Sequence, residues 1–144
     1  MDEEEAISTV DWEAFQKARA ELGPGFVRIL GYFKEDGVKS VSRIEQAMHE
    51  ENTAALVLPA HTLKSEARQF GAEPLGDAAE EIEFTARRCV EMQRFPDELV
   101  AQVVELRRLF DETAALFDRE INPLAERRPG FGKKSAANQE FGRI

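Results

Sequence analysis

Residues 59–72 read Pro59-Ala60-His61-Thr62-Leu63-Lys64-Ser65-Glu66-Ala67-Arg68-Gln69-Phe70-Gly71-Ala72. The spacing of the apolar members predicts a helix. At about 100° per residue, with His61 at zero, Leu56, Ala60, Leu63, Ala67 and Phe70 fall in an arc roughly 180–260° away. That arc is a core face, and His61 lies opposite it. Arg68 sits about 20° from His61, Val57 and Ser65 about 40°, and Lys64 and Leu58 about 60°. Glu66 points away. Gly71 is a C-terminal stop for this helix. Pro59 either kinks a helix running from Thr53 to Phe70 or opens its regular part.

The same 3–4 spacing extends in both directions. Trp12, Phe15, Ala18 and Leu22 form the face of a short helix, with Asp11 as N-cap and Gly23 as its end. Phe26, Leu30, Phe33, Val41, Ile44 and Met48 form the stripe of a longer one, from about Pro24 to Glu51, with Gly37 filling one step. Gly31 and Gly37 weaken it locally, by about 1 kcal/mol each if exposed. Leu75, Ala79, Ile82, Ala86 and Cys89 share a face over 74–92. After Pro96, Leu99, Val103, Leu106, Phe110, Thr113, Phe117, Ile121 and Leu124 carry one stripe to about Ala125. No comparable β-alternation occurs. The expected fold is all-α: an antiparallel up-and-down four-helix bundle with a short extra helix at its N-terminal end.

Three regions follow. Residues 1–8 are an acidic, flexible start, residues 9–126 the helical bundle, and residues 127–144 a flexible tail rich in Gly, Pro and Lys. The 144 residues suit one domain. The formal charge is −9. Residues 119–144 hold six cations against three carboxylates, a net +3, which leaves −12 on residues 1–118. So acidic a body argues against nucleic acid as partner. One cysteine, Cys89, excludes an intrachain disulfide and a Cys-rich zinc site. The start Met1-Asp2-Glu3-Glu4-Glu5 is unlike a signal peptide, and no apolar run approaches the roughly 18–20 residues of a membrane span. The expectation is a monomeric cytoplasmic domain with no membrane contact.

The chemistry suggested by residues 57–72 is phosphoryl transfer. An outward neutral imidazole is a good nucleophile near pH 7. A phosphoryl group needs positive charge nearby, and Lys64, at i+3, supplies it. Lys64 and Arg68 beside His61 depart from the acidic background, while Val57 and Leu58 add a small apolar patch that another protein can cover. Ser65 and Ala72 are small enough to leave room. The plain alternative is a structural histidine on an ordinary solvated face. His49-Glu50-Glu51 matches H-x-E of zinc deaminases but lacks P-C-x-x-C, and His49 reads as a solvated helix end. Gly132-Lys133-Lys134-Ser135 lacks the rest of a P-loop.

These residues resemble the histidine-containing phosphotransfer (HPt) family. Its pattern is His, any residue, an apolar residue, Lys and usually Gly, with a further Gly ten residues after the His. His61, Leu63, Lys64 and Gly71 stand at those places; Ala60, Ala72 and Leu75 also match, and the likeness in helix order covers about residues 9–126. The resemblance implies that His61 is the phosphoacceptor, that Lys64 neutralises the phosphoryl group, and that Gln69 is a polar neighbour orienting imidazole or phosphoryl. Val57, Leu58, Ser65, Arg68 and Ala72 would meet the partner, and Gly71 is structural. The implied partners are response-regulator receiver domains and a sensor histidine kinase, including the hybrid type. The chain would be a phosphocarrier, not an enzyme, with no ATP site and no cofactor or metal of its own; Mg²⁺ would belong to the receiver. Ser65 replaces the usual Gly, where it either preserves docking, hydrogen-bonds a phosphoryl oxygen or hinders close approach. It also supports a second reading, an unphosphorylated interaction module using the same surface. A third, the phosphoacceptor domain of a larger chemotaxis-type kinase, is disfavoured by the lack of a nucleotide-binding sequence after the helices.

Overall fold

A computed structural model describes residues 8–122. Among them, five α-helices follow one another: α1 Trp12–Leu22, α2 Phe26–His49, α3 Val57–Gln69, α4 Glu73–Glu91 and α5 Val100–Ile121. Single 3₁₀ turns, Gly23–Gly25, Ala54–Leu56 and Asp97–Leu99, lead into α2, α3 and α5. No described residue is in a strand. The chain divides into two compact units, Met1–Ala114 and Ala115–Ile144; the site lies wholly in the first. The acidic start as far as residue 7, the end of the last apolar stripe at Leu124 and the 127–144 tail lie outside the described residues.

The helix ends have local causes. The Asp11 side chain accepts the backbone N–H groups of Glu13 and Ala14 at 3.1 and 3.2 Å, which caps α1. Gly23, at φ +61°, ends it. The second helix begins at Phe26, later than Pro24, because Gly23–Gly25 forms the tight turn first. Pro59 is the third residue of α3. In the first turn its missing N–H costs no helical bond, so it opens the helix and does not kink its middle.

The end of α3 is a Schellman turn. The Ala72 N–H reaches the Ala67 carbonyl at 2.9 Å and the Gly71 N–H reaches Arg68 at 3.2 Å. The motif needs a left-handed residue, and Gly71 supplies it at φ +83°. Its carbonyl then accepts the Asp11 N–H at 2.8 Å, tying the start of α1 to the end of α3.

The core of the first unit is an aromatic chain. Phe15 meets Phe26 edge-on at 5.2 Å, Phe26 meets Phe70 at 5.9 Å, and Phe33 meets both Phe70 and Phe110, at 5.5 and 6.0 Å. α1, α2, the end of α3 and α5 thereby share one interior. Gly37, read from sequence as a weak step in a stripe, is where the Phe110 ring packs directly on the α2 backbone. Pairing is antiparallel: His61 and Lys64 meet Glu83, and further along α3 Arg68 meets Glu80 and Asp77, earlier on α4. Arg107 on α5 reaches Glu45 on α2 at 2.9 Å, and Gln102 contacts Glu81 across α4 and α5. The expected helical bundle is present. No described helix is long and apolar enough to cross a membrane.

Candidate phosphoacceptor site

α3 presents one wholly buried face. Leu56 before it, then Ala60, Leu63, Ala67 and Phe70, are all sealed from solvent, as the spacing predicts. His61 consequently faces out, with 48% of its side chain exposed.

Its ring is not free on both sides. Nδ1 lies 3.0 Å from Oε2 of Glu83 on α4. Glu83 is almost fully buried and gathers two further donors. The Lys64 ammonium lies 2.8 Å from Oε1, and the Arg87 guanidinium reaches Oε2 through Nε and Nη2 at 3.0 and 2.9 Å. Burial pushes the Glu83 carboxyl up, but the bonds from Lys64, Arg87 and His61 outweigh it and hold the pKa at about 2. An ionised carboxylate only accepts, so Nδ1 of His61 carries the proton. In the neutral imidazole the lone pair then resides on Nε2, which has no described partner. The arrangement fixes the tautomer and aims a nucleophilic nitrogen at solvent.

The other expected residues separate into three groups. Leu58 is 70% exposed, Ser65 and Gln69 are exposed and Val57 is half-buried; Val57, Leu58 and Ser65 lie within about one turn of His61, whereas Gln69, the last residue of α3, is about 12 Å along the axis from it. Lys64 is held at Glu83 and over the Phe84 ring, 5.2 Å from its centroid. Arg68 is not a free cation beside the histidine. Its Nη2 pairs with Asp77 at 2.8 Å and Glu80 at 2.7 Å, and its Nε approaches Glu73 at 3.5 Å. Glu80 and Asp77 raise the guanidinium pKa further. Arg68 clamps α3 to α4, across a groove kept open by Gly76, whose Cβ would lie 2.8 Å from Arg68 Cγ. Ala72 is corrected outright as a partner contact: it is fully buried, because the Gly71 turn folds it into the corner between α3 and α4. Glu66 points away from His61, as expected, and is half-buried. Burial and nearby Asp36 push its carboxyl up.

Glu83 does not stand out beside His61 in the sequence, since it lies on a different helix. A signal existed. Glu83 lies four residues after Ala79 and three before Ala86, on the apolar stripe of α4, where a lone carboxylate needs a buried partner. Arg87, one turn on, is the natural companion. His49 is exposed at the last residue of α2, and Cys89 is buried.

The Hpt domain family model matches residues 28–116, from the first turn of α2 to the later part of α5. The chain belongs to the Hpt family. It is a histidine phosphotransfer protein, a phosphocarrier that works with receiver domains and histidine kinases in two-component phosphorelays. Among solved structures, this Hpt chain is similar to histidine-containing phosphotransfer protein B (HptB) from Pseudomonas aeruginosa PAO1. The two share 24% identity and a TM-score of 0.69, over 80% of this chain and 96% of that one, a likeness in fold. A search of curated proteins found no match. The Hpt match spans both helices that build the site, so His61, Lys64, Glu83 and Arg87 all lie within the family region.

Proposed function

We propose that His61 is the phosphoacceptor of this Hpt protein and that Nε2 is the atom phosphorylated. The observation that supports it is the 3.0 Å contact of Nδ1 with a buried, ionised Glu83. With the proton on Nδ1, the Nε2 lone pair attacks the phosphorus of a receiver's aspartyl phosphate. An N–P bond forms as the acyl-phosphate P–O bond breaks, and the electron pair leaves with the aspartate carboxylate. The phosphorylated ring carries positive charge, which Glu83 stabilises across Nδ1–H. Transfer onward is the reverse step to a second receiver.

The surrounding residues have separable roles. Lys64 keeps donors free after meeting Glu83 and neutralises the phosphoryl oxygens. Gln69, eight residues on and about 12 Å along the axis from His61, is a polar group at the edge of the partner-facing surface, and Ser65, one turn after His61, offers its hydroxyl to a phosphoryl oxygen. Val57 and Leu58 meet the receiver. The Mg²⁺ of the reaction belongs to the receiver, and this chain holds no ATP site, metal or cofactor of its own. We propose a cytoplasmic monomer that also takes phosphoryl groups from a kinase, including the receiver of a hybrid kinase.

Incubation with a phosphorylated receiver tests this. The wild type becomes labelled with an acid-labile phosphohistidine, and His61→Gln does not. Equal labelling of His61→Gln overturns the assignment; receiver binding by both without any label supports the unphosphorylated interaction module.

A further inference from the structure

α4 sets two unlike residues side by side at the site. Glu83 is buried, and Phe84, the next residue, is 50% exposed. The Phe84 ring lies 5.2 Å from the Lys64 ammonium, which is also 2.8 Å from Glu83 Oε1. Lysine carries a point charge on a flexible four-carbon stem whose rotamers are costly to fix. A single ion pair leaves such a stem free to pivot. Carboxylate on one side and aromatic face on the other define a position, and the side chain is accordingly only 15% exposed.

We propose that Phe84 is a positioning residue for phosphoryl transfer: its ring holds the Lys64 ammonium beside the imidazole through a cation–π contact. This rests on His61 as phosphoacceptor and adds a determinant from a different helix. A cation accelerates the reaction only if it is already in place when charge develops on the phosphoryl oxygens. Apolar bulk does not serve, because the attraction comes from the ring quadrupole.

Two variants separate the quadrupole from bulk: Phe84→Leu and Phe84→Trp. In the unphosphorylated protein, NMR of the Lys64 Cε–Hε group reports the ring directly. Its upfield ring-current shift is lost in Phe84→Leu and kept in Phe84→Trp. Phosphoryl transfer from a labelled receiver slows about two- to five-fold in Phe84→Leu, the rate equivalent of an exposed cation–π contact, and recovers in Phe84→Trp. In a Lys64→Met background, Phe84→Leu has no further effect. An unchanged Lys64 signal with a wild-type rate in Phe84→Leu overturns the proposal. So does a Trp variant as slow as the Leu variant. Equal slowing in the Lys64→Met background also overturns it, and assigns Phe84 to receiver docking. Failure of the His61 assignment shows separately, as label on His61→Gln, while the NMR arm still reads the Phe84–Lys64 contact.

Discussion

Glu83 is ionised at a place where burial alone would neutralise it, and its three donors contribute to folding through that charge. The sign follows from the lowered pKa. Between the ordinary value of 4.5 and the folded value of about 2, the unfolded state binds the proton first. The stabilisation is therefore complete above about pH 4.5 and drains away as pH falls toward 2. Its size is at most about 3 kcal/mol, at 1.36 kcal/mol per unit. Glu83→Gln is expected to lower stability at pH 7 by up to that amount and to flatten the acid limb; urea titrations at several pH values check both. Glu66 runs the other way. Its carboxyl is pushed up, so ionisation costs stability as pH rises past the ordinary carboxylate range, and Glu66→Gln should raise Tm at pH 7. His61 and Lys64 were legible because both lie on one helix, where spacing fixes direction. Glu83 showed in sequence only as a carboxylate on an apolar stripe with Arg87 one turn on; that it and Phe84 meet His61 and Lys64 was not legible, because a single helical wheel carries no information about which neighbouring helix faces it.

Helix boundaries show the same division. Asp11, Gly23 and Gly71 act within a turn of themselves, and their sequence signals located three ends correctly. Pro59 left two outcomes open until the preceding 3₁₀ turn placed it in the first turn of α3. Gly37 and Gly71 also have duties that only packing reveals. A Cβ on Gly71 would lie 2.6 Å from the Asp11 carbonyl oxygen, at φ +83°. Gly71→Ala should cost about 2–4 kcal/mol, from a left-handed penalty of roughly 1–2 and a comparable clash; thermal unfolding measures it. Arg68 changed meaning most. Its wheel position beside His61 was right, but three α4 carboxylates claim its guanidinium, so it joins helices and brings no free cation to the surface.

At the scale of the molecule, charge is expected to select where a receiver can land. Residues 1–118 carry a net charge of −12, and receiver active sites are acidic too, so contact is expected to be disfavoured over most of that surface. Lys64 and Arg68 were the expected exception. With Arg68 outnumbered by Asp77, Glu80 and Glu73, the exception narrows to the site itself, where Lys64 and Arg87 face one carboxylate, Glu83. Arg87→Glu is expected to slow receiver association several-fold at low salt and far less near 1 M, where the Debye length is about 3 Å. A salt-independent loss would contradict steering. The tie between Asp11 and the Gly71 carbonyl has a mechanical corollary. Tension applied to the chain ahead of α1 is expected to load that bond and, through it, the turn that closes α3, whose last helical residue lies about 12 Å along the axis from His61.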